Sequence, residues 1–224
     1  MDPIAHLALA TAVFLAIHVV PSTPLRSAAA SAIGEGPYLG LFSLASLAGI
    51  VWMVWAYGQT PLTPLWPGLR HVPSAVMPLA FILLACGLMT PNPTVVAQGK
   101  LLAHADPARG IVRITRHPVM WAIMLWAGAH LLARGELKST IFFGGFLLLA
   151  AAGTLLQDAR KAKLHGEDWK RFAALTSNVP FVAIAAGRNR FVWSEIGLVR
   201  VVVGLILFGG FFTFHPWLFG ARPY

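Results

Sequence analysis

Residues Arg113–His130 read RITRHPVMWAIMLWAGAH. An Arg-His-Pro triplet, Arg116 to Pro118, opens an apolar run that carries a second histidine near its far end. An ionisable side chain inside hydrocarbon costs free energy unless it is paired, hydrated or ligating something. Histidines at both mouths of one membrane span, His117 and His130, are therefore candidate functional residues.

The rest of the chain supports reading this run as a span. Apolar residues make up 57% of the 224 positions, charged residues 11%, and the mean hydropathy is +0.70, far from an ordinary soluble domain. Crossing roughly 30 Å of hydrocarbon takes about 20 mostly apolar residues. Candidates lie at Ile4–Val20, Tyr38–Tyr57, Val72–Met89, His117–Ala133, Ser139–Leu156 and Ile196–Phe214. The expected fold is an all-α, polytopic membrane bundle of about six helices, forming one domain over residues 1–224.

The first run is expected to be a retained span and not a signal peptide: Asp2 stands where a basic cluster would be, and His18 interrupts the run with no small-residue cleavage site after it. Alternating six spans puts Arg26, Lys100, Arg109, Arg113, Arg116, Arg160, Lys161, Lys163, Lys170, Arg171, Arg188 and Arg190 on one face. Arg70, Arg134, Lys138 and Arg222 fall on the other. The positive-inside rule makes the first face cytoplasmic and the termini periplasmic, in a bacterial inner membrane. The net charge of +9 sits in loops beside spans, which suits anionic headgroups and argues against nucleic acid as a partner.

Pro21, Pro24, Gly34 and Gly36 break the chain after the first span, with Arg26 placed to snorkel. The segment QTPLTPLWPGLRH, ending at His71, suits the outer interface. Thr90 to Arg116 is long and basic, a candidate cap over a site. In QDARKAKLHGEDWKRFAALTSNVPF, from Gln157, the side chains of Leu164, Trp169, Phe172 and Leu175 fall roughly on one side of a helix, an amphipathic segment lying on the cytoplasmic leaflet. Cys86 is alone, inside the third span, so no disulfide forms within the chain.

Of the eight histidines, His6, His215, His104 and His165 fall at interfaces or in polar segments. His18, near the cytoplasmic end of span one, is at similar depth to His117; His71 and His130 form a second such pair at the outer side. Along one helix His117 and His130 are about 20 Å apart in rise and about 220° apart in direction, too far for one iron. A b-type haem needs one or two axial imidazoles from facing helices and apolar walls, which Trp52, Trp55, Phe81, Trp121, Met124 and Trp126 could supply.

GIVRITRHPVMWAIMLWAGAHLLARGE, then HGEDWKRFAALTSNVPF, and before both FLAIHVVPSTPLR, resemble the NnrU family, which includes the plant and cyanobacterial 15-cis-zeta-carotene isomerases. The likeness runs over nearly the whole chain. It implies an integral membrane protein in which the isomerase members hold haem b and use its ferrous form to isomerise the central cis bond of a polyene, with a redox partner to reduce it. Bacterial members take their name from an association with nitrite and nitric oxide respiration. Carried onto this chain, the implied iron ligands are His18 with His117 or His130; topology favours His117, the isomerase pattern His130. Arg26, Arg113 and Arg116 are candidates to pair with haem propionates. Ala127 stands where the isomerases have a cysteine, so a thiolate alternative to imidazole is missing.

An RHP helix followed by the Leu164-Gly166-Trp169-Phe172 pattern is also similar to the isoprenylcysteine carboxyl methyltransferase superfamily. That likeness implies an S-adenosylmethionine pocket bordered by Arg116, His117, Asp158, Arg160 and Trp169; the paired glutamates of those enzymes are replaced here by Gln157 and Asp158. A cofactor-free membrane scaffold is the third class.

Overall fold

A computed structural model describes residues 1–223. Its helices are α1 (Pro3–Val19), α2 (Pro24–Ile33), α3 (Glu35–Gln59), α4 (Val72–Met89), α5 (Pro118–Arg134), α6 (Leu137–Leu175), the single turns α7 (Val182–Ala185) and α8 (Trp193–Ile196), and α9 (Leu198–Phe219). The fold is all-α, as expected. Five helices, α1 with the turn after it, α3, α4, α6 and α9, are long and apolar enough to cross a bilayer. The 17-residue α5 lies between α4 and α6 as the sixth.

Sequence sets the helix ends. The Asp2 carboxylate accepts the Ala5 N–H at 2.9 Å ahead of Pro3, a side-chain cap on donors that otherwise lack partners. Pro118 fills the first position of α5, where a missing N–H costs nothing. His117 therefore lies outside the helix as its N-cap residue. Gly135 ends α5 in the left-handed region at φ +60. A side chain there would strike the Trp66 carbonyl oxygen at 2.2 Å, because the Pro64 segment pairs with Glu136 across this turn.

The helices form a row, α3, α1, α6, α5, α4, α9, each packed on the next. Two cores follow from that order. In the first, Leu7, Ala10 and Phe14 of α1 meet Met53 and Ala56 of α3 and Phe142 and Phe146 of α6. In the second, Leu83 and Cys86 of α4 meet Ala122 of α5, Val112 and Ile114 of the 90–117 segment, and Trp169 and Phe172.

Two expectations change in detail. The span expected at Ser139–Leu156 and the amphipathic segment after it are one 39-residue helix, broken at Gly166 by a non-helical φ of 50° and ψ of −118°. The break resets the helical phase. Trp169 and Phe172 are buried, while Leu164 and Leu175 stay exposed, so the four do not share a face. The last span starts two residues later than expected, because Gly197, at φ +80, separates Ile196 in α8 from α9.

Candidate functional site

At the basic end of the bundle, three segments distant in sequence converge on Arg116. The Arg116 N–H donates to the Ser177 carbonyl at 3.0 Å and the Phe181 N–H to Ile114 at 2.9 Å, so the ITRHP and TSNVPF segments run side by side. The Arg116 carbonyl accepts from Asn92 Nδ2 at 3.0 Å and Thr94 Oγ1 at 3.1 Å. Asn178 ties the same segments to the spans: its carbonyl accepts from Trp121 Nε1 at 2.8 Å and Thr115 Oγ1 at 2.6 Å.

The charges of Arg113 and Arg116 in this cap are matched by carboxylates. The Arg116 guanidinium grips Asp158, Nε at 2.9 Å and Nη2 at 2.7 Å from Oδ2, and lies 6.0 Å from the Trp169 ring centre. His117 Nε2 donates to Oδ1 of the same aspartate at 2.7 Å, with the imidazole only 1% exposed. Arg113, 7% exposed, donates Nε to Glu195 at 2.8 Å, Nη2 to Asp106 at 2.7 Å and Nη1 to Asn189 at 2.9 Å. The hydrogen bond to Glu195 raises the Arg113 pKa, and the same bond, helped by the Gly110 N–H, lowers that of Glu195 to about 2. Lys161 is buried with Nζ on the Pro93 carbonyl at 2.8 Å. The 90–117 segment is thus a packed cap, stapled down by charge and by the burial of Leu102, Ile111 and Val112.

His18 and His130 have a different setting. His18 Nδ1 donates to the Phe14 carbonyl at 2.8 Å and His130 Nδ1 to that of Trp126 at 2.8 Å. In each the carbonyl four residues earlier fixes the tautomer and leaves Nε2 with its lone pair, the arrangement found in metal-ligating histidines. A chain of rings joins the two: His18 to Phe14 at 4.2 Å, Phe14 to Phe146 at 5.4 Å, Phe146 to Trp126 at 5.3 Å, and Trp126 to His130 at 5.7 Å. Phe42 closes on His18 from α3, and Phe143 stacks on His130. This seam runs from α1 across α6 to α5.

The expected pairings by depth resolve accordingly. His18 and His117 have separate partners, rings for one and Asp158 for the other. His71 is exposed ahead of α4, while His130 lies in the seam. Arg26 pairs with Glu35, away from Arg113 and Arg116. Ala127 is fully buried in α5 and Cys86 belongs to the other core. Of the residues singled out for S-adenosylmethionine, Arg116, His117, Asp158 and Trp169 gather but turn on Asp158 or on one another, while Arg160 faces a separate recess with Arg26. No group of three metal-binding side chains occurs among the described residues.

Sequence reading overlooked a polar knot at the opposite end. Glu136, 7% exposed, accepts from Ser139 at 2.8 Å, Arg134 at 3.1 Å and Tyr57 at 3.2 Å. The signal available was the lone Glu136 among outer-face cations, at the start of an apolar run.

The fold and site define a multi-pass, all-helical membrane protein with a charge-stapled cap and a histidine-ended aromatic seam. The family model for NnrU protein matches residues 6–223; the chain belongs to that family. Among curated proteins, 15-cis-zeta-carotene isomerase of Arabidopsis thaliana is 33% identical over 116 residues, 50% of this chain and 31% of that protein. The protein of the same name from Zea mays is 31% identical over 111 residues, 48% of this chain and 30% of that one. This chain thus matches under a third of the length of either relative. No solved structure gives a significant match.

Proposed function

We propose that this protein holds haem b at histidines of the aromatic seam and acts as a redox-dependent cis-trans isomerase of a conjugated polyene taken from the membrane. The observation that carries the reading is the shared state of His18 and His130, each with Nδ1–H on a backbone carbonyl and Nε2 unengaged, at the two ends of one chain of rings. Either imidazole fits an axial ligand by donor chemistry. His117 also has one unengaged nitrogen, a buried Nδ1, but it lies outside the chain of rings.

Bound haem b supplies an iron whose ligand affinity changes with oxidation state, giving redox control of access to the metal. The chain supplies the rest. Phe14, Phe146 and Trp126 exclude water and offer flat apolar faces to a polyene, whose extended π system matches them. The carbonyls of Phe14 and Trp126 hold the imidazole planes in one orientation. Of the three arginines considered for propionates, Arg26 is the best placed: it lies at the basic end just beyond His18, its one carboxylate partner, Glu35, is half exposed, and its guanidinium lies 5.5 Å from the Tyr38 ring centre. The basic end faces the cytoplasm in this reading, where a redox partner delivers the electron.

The relatives' printed activity supports the substrate class. The test is the absorption spectrum of detergent-purified protein, expressed with ample haem, before and after dithionite. A Soret band that is lost in His18→Ala or His130→Ala and retained in His71→Ala bears the reading out. A colourless protein that binds S-adenosylmethionine overturns it in favour of methyl transfer.

A further inference from the structure

We infer that the recess between the end of α1 and the basic third of α6 is a binding site for the phosphate headgroup of an anionic lipid. The recess has a volume of about 510 Å³, and Arg26, Arg160 and Lys163 supply three cations to its wall. Arg26 is paired with Glu35. Arg160 and Lys163 make no hydrogen bond or ion pair among the described residues, and no carboxylate lines the recess. Elsewhere at this end of the bundle Arg113 and Arg116 are each in hydrogen-bond contact with protein carboxylates, whereas Arg160 feels Glu35 only at a distance and against the repulsion of Arg26, and Lys163 has no carboxylate at the recess.

Backbone geometry adds to the attraction. Pro21 ends α1, and the 3₁₀ turn Val20–Ser22 swings the chain so that α2 starts at the recess. Thr23, at the N-cap position, donates its hydroxyl back to the Val20 carbonyl at 2.8 Å and makes no cap bond to α2. Pro24, the first residue of this ten-residue helix, has no N–H, and the Arg26 N–H donates to the Thr23 carbonyl at 3.3 Å, so the helix end contributes its dipole and not a set of free donors.

The walls below these charges are apolar. Leu156 lines the recess one turn before Arg160, is exposed, and ends the apolar part of α6; Leu164 lines it one residue past Lys163. A ligand here meets cations above and hydrocarbon below, the pattern of a phospholipid and not of a free phosphate. Basic pockets at helix ends on the charged side of a membrane bind lipid headgroups in this way, each Lys or Arg contributing about 1 kcal/mol.

The test uses the full-length protein in detergent, with native mass spectrometry of dioleoyl phosphatidylglycerol binding against dioleoyl phosphatidylcholine. Wild type is expected to retain phosphatidylglycerol preferentially, Lys163→Gln to weaken it roughly fivefold, and Arg160→Gln with Lys163→Gln roughly thirtyfold. Lys163→Arg should keep the wild-type affinity, as should Arg190→Gln, which removes an exposed cation outside the recess. Lys163 is exposed, so its substitution leaves folding intact. Equal retention in all variants, equal affinity for the two lipids, or full displacement by millimolar inorganic phosphate overturns the assignment.

Discussion

The cap and the seam contain the same residue type, histidine, anchored in two different ways. In the cap His117 places Nε2 on the Asp158 carboxylate with Nδ1 buried and unpartnered, and Arg113 and Arg116 are matched by carboxylates at hydrogen-bond distance. In the seam His18 and His130 keep one nitrogen on the backbone and the other unengaged. The residues that dominate the motif, Arg113, Arg116 and His117, do structural work, holding three segments over the helix ends. The seam histidines hold Nδ1 on a backbone carbonyl and leave Nε2 unengaged, whereas His117 holds Nε2 on a carboxylate and leaves a buried Nδ1 unengaged.

The sharpest way to break this contrast is at Asp158. Its removal leaves Arg116 and His117 facing each other in a site where their side chains are 14% and 1% exposed. An unpartnered buried charge costs about 3–5 kcal/mol. Asp158→Ala is expected to lower the melting temperature more than any seam substitution, with Asp158→Asn intermediate because it still accepts from His117. If Asp158→Ala melts with wild type, the cap is not held as described.

Glu195 tests the same side more gently. It carries two hydrogen bonds from Arg113 and one from the Gly110 N–H. Glu195→Gln keeps the shape and loses the charge, at about 1.5–3 kcal/mol for bonds to a charged group. The sign with pH follows from its depressed pKa, about 2 against an ordinary 4.5. The unfolded chain takes up the proton first, so the stabilisation is complete above about pH 4.5 and is lost as pH falls toward about 2. Melting temperature measured across that interval should fall in wild type and fall less in Glu195→Gln.

How much of this was legible in sequence depends on the scale of the signal. Hydropathy located six helices within a few residues, because a bilayer demands long apolar runs and proline and glycine mark their ends. It could not show that α6 carries through Leu156 to Leu175, since the charges after Asp158 read as an end to the span while the backbone continues as helix to Gly166. Depth arguments set His18 beside His117 because alternating spans fix height and leave the neighbours within the row open. Only the packing of α6 between α1 and α5 shows Phe146 joining the two ends of the seam. Asp158 was visible as a departure from a methyltransferase pattern, but its grip on Arg116 is a contact across 42 positions, which no local pattern encodes.

Within the seam the expected stability effects are smaller. Phe146→Leu keeps apolar volume and removes ring contacts to Phe14, Trp126 and Phe142, which should cost about 1–1.5 kcal/mol and be visible as a modest drop in melting temperature. His130→Ala should cost a similar amount, about 1–1.5 kcal/mol, since it gives up one hydrogen bond and the ring contacts to Trp126 and Phe143. The Trp126 carbonyl that loses the imidazole donor sits within α5 and keeps its helical bond, and Nε2 has no protein partner to strand. The expected pattern for His130→Ala is therefore a modest drop in melting temperature together with loss of haem absorbance. A large destabilisation with the spectrum unchanged would place His130 among the structural histidines, alongside His117, and erase the distinction between the two regions.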